Sequence, residues 1–102
     1  MSDEEGDTQG IKVRIRFFAR FRDLMGTEII AEPAPGTALD SLVREAVGRD
    51  RWGHQAIFNE DGSFREIVIL MRNGKRVDAA EAVKIQVADG DEIAIFPPVS
   101  GG

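Results

Sequence analysis

Cysteine is missing from all 102 residues. Disulfides, thiolate metal sites and a cysteine nucleophile are therefore excluded. Lysine is scarce as well: Lys12, Lys75 and Lys84 are the only three among 13 basic residues, which leaves few amines for joining the chain to itself. His54 is the single histidine, lacks a motif partner and reads as a structural or surface residue. No stretch approaches the ~20 apolar residues of a membrane span. The opening also lacks the basic start and apolar run of a signal peptide. These absences predict a cytoplasmic protein that does not touch the membrane.

The motifs of intrinsic catalysis are absent too. Ser41, Ser63 and Ser100 stand outside any G-x-S-x-G context. Gly74-Lys75 is not a phosphate-binding loop, because Ile69 occupies the position of its first glycine. No G-x-G-x-x-G is found. Asp89, Asp91 and Glu92 read as solvated residues of a tight turn, without ligands at metal spacing. The chain is expected to hold no cofactor and no metal and to contribute no catalytic side chain.

Net charge is −5, yet the first ten residues alone hold four acids and no base, so residues 11–102 carry 14 acids against 13 bases. A near-neutral body gives no reason to expect nucleic acid as a partner. Residues 1–10 read as a disordered acidic tail, residues 11–96 as one domain, and residues 97–102 as an extended C-terminal tail.

What is present alternates. In "IKVRIRFF" (Ile11 to Phe18), Ile11, Val13, Ile15 and Phe17 share one side of a strand, and Lys12, Arg14, Arg16 and Phe18 the other. Phe18, Phe21, Leu24 and Met25 recur at helical spacing up to Gly26, and "TEIIAE" (Thr27 to Glu32) forms a second strand that stops at Pro33. The clearest helix follows, with Thr37 as N-cap, Asp40 in a capping-box position, and Leu39, Leu42, Val43, Ala46 and Val47 on one stripe before Gly48. Residues 49–66 are expected to form short pieces packed by Trp52, Ile57, Phe58 and Phe64. "IVILMR" (Ile67 to Arg72) is a continuous apolar run suited to a strand covered on both faces. Asn73-Gly74 makes a hairpin into "KRV". After an irregular or helix-like Asp78 to Val83, Asp89-Gly90 turns the chain into the last strand, Glu92 to Pro97.

One helix needs one sheet face to bury its stripe. The expected fold class is α+β: a mixed four- to five-stranded sheet with one main helix packed on one face, the β-grasp pattern. The first and last strands, being the most apolar, are expected at its centre. Lys12, Arg14 and Arg16 form either a docking stripe or a solvated face. Phe18 and Phe96, on the polar side of their strands, either mark a partner surface or are covered by loops.

The chain stops at "AIFPPVSGG" (Ala94 to Gly102). A terminal Gly-Gly arises in about 0.5% of unselected chains at average glycine usage, so its position after an apolar strand and two prolines calls for a reason. Proline fixes φ and lowers the cost of holding the tail extended, and six extended residues from Pro97 reach about 20 Å. Two residues without Cβ atoms let the terminal carboxylate enter a narrow channel. Adenylation there by a second, ATP-binding protein would make the carboxylate a good acyl donor.

"DGDEIAIFPPVSGG" (Asp89 to Gly102) resembles the C-terminal signature of the MoaD/ThiS sulfur-carrier family, and is especially similar to the small archaeal ubiquitin-like modifier proteins. "FNEDGSFREIVILMRNG" (Phe58 to Gly74) resembles the segment those modifiers place before their hairpin. The resemblance implies a ubiquitin-like β-grasp fold and no catalysis of its own. It implies that an E1-like, MoeB-type enzyme adenylates Gly102 with ATP and Mg²⁺, and that no trimming of the terminus is needed. The activated terminus then becomes a thiocarboxylate for molybdopterin synthesis or tRNA thiolation, or is joined to lysines of target proteins. Gly102 carries the acyl group in that reading and Gly101 gives clearance. Phe96, Pro97, Pro98, Val99 and Ser100 meet the activating enzyme or the large subunit of molybdopterin synthase, with Phe18 and Arg16 beside them. The protein alone is expected to be a monomer. The alternative is a β-grasp interaction module that binds through its open sheet face around Phe18, Arg16 and Phe96, with a dispensable tail.

Overall fold

Residues 10–48 and 50–98 are described by the structure, a computed structural model. The acidic opening up to residue 9 and Val99, Ser100, Gly101 and Gly102 lie outside the described residues.

Strict alternation makes Val13–Phe17 a strand, β1, with Val13, Ile15 and Phe17 buried. A short helix α1 (Arg20–Met25) buries Phe21, and β2 (Glu28–Ala31) returns antiparallel to β1. Helix α2 (Leu39–Val47) buries Leu39, Leu42, Val43 and Val47, as its apolar stripe requires. A third helix, α3 (Arg51–Ile57), precedes the hairpin of β3 (Ile69–Arg72) and β4 (Lys75–Val77). A 3₁₀ helix (Ala79–Lys84) leads to β5 (Glu92–Phe96). The strands order as β2-β1-β5-β3-β4, with β1 and β5 parallel and every other pair antiparallel. This is the β-grasp arrangement. β5 takes the centre with β1 beside it, and Ile93, Ile95, Leu70 and Val77 meet the α2 stripe in one core.

Several local expectations are corrected. Thr37 does not cap α2: its hydroxyl donates to the Ala34 carbonyl at 2.7 Å, and the helix starts after Ala38. Asp40 accepts from Arg44 Nη1 at 2.8 Å rather than closing a capping box. A hydroxyl engaged in the preceding turn cannot also satisfy a helix amide. Trp52 does not pack; it is 68% exposed. Helix α3 buries Gly53 and Ile57, four residues apart, and Trp52 sits about 100° round from Gly53 at 3.6 residues per turn. Gly53 lets α3 lie close to Met25, whose side chain would have to move for a Cβ that came within 2.6 Å of its Sδ. The 67–72 run is not covered on both faces: β3 begins at Ile69, only Leu70 within it is buried, and Ile67 is exposed.

The Asp89–Glu92 turn is not merely solvated. Asp91 is 6% exposed and accepts from Arg72 Nε (3.0 Å), Asn73 Nδ2 (2.9 Å) and the Ala88 amide (2.8 Å). Burial pushes its carboxyl pKa up, but the bonds from Ala88, Asn73 and Arg72, with the Arg72 charge, outweigh that and hold it below the ordinary value. Asp89 accepts from the Lys12 amide at 2.8 Å, and Glu92 pairs with Arg16 at 3.0 Å. The turn therefore ties the start of β5 to both its neighbours.

Candidate functional site

Because helices cover one sheet face, the alternation that buries Ile93 and Ile95 sends Glu92, Ala94 and Phe96 to the other. The same parity puts Arg14, Arg16 and Phe18 on that open face from β1, and Ile69 and Met71 from β3. Register makes the neighbours explicit: Ile69 lies opposite Phe96, and Met71 opposite Ala94. The open face thus divides. Toward the start of β5 it is polar, with Arg14 3.5 Å from Glu28 and Arg16 3.0 Å from Glu92. Toward the end of β5 it is apolar.

Two phenylalanines mark the apolar half. The rings of Phe18 and Phe96 stack with centroids 4.3 Å apart and planes 12° from parallel. The Arg16 guanidinium carbon lies 5.2 Å from the Phe18 centroid, where the ring's negative face attracts it. Both rings keep part of their surface exposed, each covering part of the other. Beside the stack runs a groove of about 400 Å³ lined by Ala19, Ile69, Met71, Phe96, Pro97 and Pro98. No charged side chain lines it. The groove lies where β5 ends at Phe96, with Pro97 and Pro98, the last described residues, along its edge.

The backbone at this corner is held in a costly shape. Ala19 has φ 54° and ψ −134°, and the Phe21 amide donates to the Phe18 carbonyl at 3.1 Å. That closes a tight turn whose first central residue has positive φ, a conformation glycine adopts freely and alanine does not. The Phe18 amide donates to the Ile95 carbonyl at 3.2 Å, extending the β1–β5 ladder beyond Phe17. Phe18 is thereby locked in place for the stack before the chain turns away into α1.

The structure therefore gathers Phe18, Arg16, Phe96, Pro97 and Pro98 on one face. Val99, Ser100, Gly101 and Gly102, expected to complete the site, lie outside the described residues. Sequence reasoning missed Ile69, Met71, Ala94 and Ala19. The apolar run Ile67 to Met71 carried the first two in plain view, but a run without alternation does not say which members turn outward. His54 sits away from this face, its ring centroid 5.1 Å from that of Phe58. Among the described residues no group of three or more His, Cys, Asp or Glu could hold a metal ion, and no helix is long and apolar enough to cross a membrane.

Comparison with known proteins follows the same lines. A family described as the ThiS family matches residues 15–102. Small archaeal modifier protein 1 of Haloferax volcanii is 33% identical, over 85% of this chain and 97% of its own. Its crystal structure superposes with a TM-score of 0.77 at 26% identity, covering 89% of this chain and 99% of that one. A putative sulfur carrier protein of Archaeoglobus fulgidus is 34% identical over 90% of this chain and 98% of its own. The molybdopterin synthase sulfur carrier subunit of Escherichia coli is 28% identical over 88% and 99%.

Proposed function

The chain belongs to the ThiS family, a family of small sulfur carriers and ubiquitin-like modifiers, and from that premise we propose that it works through its C-terminal carboxylate. The observation that carries the reading is the apolar groove at the root of the tail. A central strand ends there on a stacked aromatic pair, and two prolines lead the chain away beside an uncharged surface. A partner that closes over Phe96, Ile69 and Met71 fixes the root. The four residues beyond Pro98 then place the Gly102 carboxylate up to about 14 Å away, inside the partner.

The partner in this reading is an E1-like, MoeB-type enzyme that binds ATP and Mg²⁺. A Gly102 carboxylate oxygen attacks the α-phosphorus, pyrophosphate leaves, and the carboxylate becomes an acyl adenylate. Gly101 gives the clearance that a narrow channel demands. Sulfur at the level of hydrosulfide then attacks the carbonyl carbon, AMP leaves, and the terminus is a thiocarboxylate for molybdopterin synthesis or tRNA thiolation. A lysine amine attacking the same activated carbon, with loss of a proton, gives an isopeptide bond to a target protein. Phe18, Arg16, Phe96, Pro97, Pro98, Val99 and Ser100 supply the contact to the activating enzyme, the synthase large subunit or the target. This chain contributes position and an acyl group, and the chemistry belongs to the partner.

The test is ATP–pyrophosphate exchange with an E1-like enzyme, using the full chain and a variant lacking Gly101 and Gly102. Exchange is expected to vanish in the variant while its melting curve stays unchanged. Undiminished exchange would overturn the reading and favour an interaction module that binds through Phe18, Arg16 and Phe96. Mass spectrometry of protein from native cells separates the two destinations: oxygen-to-sulfur replacement at the terminus marks a carrier, and target peptides bearing the terminal remnant mark a modifier.

A further inference from the structure

β2 is an edge strand, and its unpaired side is arranged to take another strand. In its ladder with β1, the Phe17 amide donates to the Thr27 carbonyl and the Ile11 amide to the Pro33 carbonyl. The hydrogen-bonded pairs are therefore the odd-numbered residues, including Val13 with Ala31 and Ile15 with Ile29. The amides and carbonyls of Glu28, Ile30 and Glu32 point the other way, and no described group bonds to them. Below this edge, on the helix side, a groove of about 260 Å³ separates β2 from α2. Ile29, Ala31, Leu42 and Ala46 line it, with Glu45 beside them on α2 and Glu32 and Pro33 at the end of the strand. Neither carboxylate bridges a described cation. On the open-face side Ile30 is half exposed between Glu28 and Glu32.

We infer that the β2 edge and the β2–α2 groove bind an extended segment of a partner protein, apolar at alternate positions and basic at its ends. Unpaired backbone groups at every second residue call for an extended main chain beside them. The pleat of such a strand directs alternate side chains into the apolar groove and the others toward Glu28, Ile30 and Glu32. The glutamate rim selects lysine or arginine at the flanks.

The same charges argue against this chain as its own occupant. Two copies pairing β2 antiparallel about Ile30 would set Glu28 against Glu32, and like charges directly opposite are destabilising. The first ten residues, with four acids and no base, carry the wrong sign for this rim. Two strands, β1 and β5, separate β2 from β3 in the sheet. At about 4.8 Å per strand spacing the edge is roughly 10 Å from β5, so a segment bound there leaves the groove at the tail root free. The inference does not depend on the terminal chemistry proposed above.

The experiment is a titration of the isotope-labelled full chain with the capped peptide Lys-Val-Thr-Ile-Thr-Val-Lys, followed by amide chemical shifts and hydrogen exchange. Saturable shifts are expected over Glu28 to Pro33 and Leu42 to Ala46, with exchange slowed at Glu28, Ile30 and Glu32. Replacing both lysines of the peptide by glutamate is expected to weaken binding about tenfold, two exposed attractions having become repulsions. Ala46→Arg, which fills the groove, should abolish the saturable shifts yet retain wild-type pyrophosphate exchange. Should that variant fail to fold, Glu32→Lys with Glu45→Lys reverses the rim and should invert the peptide preference. No saturable shift, shifts confined to Ile69, Met71 and Phe96, or a sedimenting dimer whose β2 amides are already protected would each overturn the inference.

Discussion

Replacing Phe96 by alanine removes a half-buried ring whose centroid lies 4.3 Å from that of Phe18. Two effects add. Half of a phenylalanine's burial contributes about 1 kcal/mol, and a stacked aromatic pair contributes about 1 kcal/mol beyond its area. Phe96→Ala is thus expected to cost about 2 kcal/mol and to lower the melting temperature by about 10 °C at this size. Phe18→Ala should cost slightly more, because Arg16 also loses the ring it faces, worth about 0.5 kcal/mol at an exposed site. The double variant should cost about 1 kcal/mol less than the sum, and that difference isolates the stack. Denaturant melts of the four proteins give the cycle. In pyrophosphate exchange, a buried aromatic anchor lost from a docking face costs about 2 kcal/mol, so KM for the carrier should rise about thirtyfold with kcat unchanged. A coupling energy indistinguishable from zero would show that the rings share no energy. A folded Phe96→Ala variant with wild-type KM would show that the groove at the tail root is not where the activating enzyme docks.

Further outcomes follow from other sites. Asp91→Asn leaves Arg72 facing an amide and should destabilise the fold by about 2 kcal/mol, the scale of a hydrogen bond to a charged group. Because the Asp91 pKa lies below its unfolded value, its contribution is fully present above the ordinary carboxylate range and is lost as pH falls through the depressed folded pKa. The gap between wild type and Asp91→Asn in melts should therefore hold from neutral pH down to about pH 4 and narrow below it. A gap that does not change on acidification would refute this assignment. Ala19→Gly relieves a positive φ and should stabilise the protein by about 1 kcal/mol. A lower melting temperature would instead mean that the Ala19 methyl at the groove outweighs the backbone strain.

Parity made part of the site legible in advance. Alternation along their strands puts Phe18 and Phe96 on the open face, and alternation is a local property. Ile69 and Met71 were hidden inside an unbroken apolar run, where parity has no reference until the strand's covered face is known. Asp91 looked like one more acid in a turn. Its burial depends on Arg72 and Asn73, 19 and 18 residues away, arriving from the β3–β4 hairpin. Trp52 is large and apolar, which predicts burial. The helix phase set by Gly53 and Ile57 turned it outward.

By itself the sequence determined the strands, the main helix and the side of each alternating strand, since all of these follow from spacing and residue chemistry along neighbouring positions. Tertiary structure alone decided the β2-β1-β5-β3-β4 order, and with it the groove at the end of β5 and the open edge of β2. The physical reason is that both surfaces are made where strands distant in the chain become neighbours, and hydrophobic burial, the force that joins them, has no direction of its own. Register and the single covered face supply that direction only once the whole sheet has closed around α2.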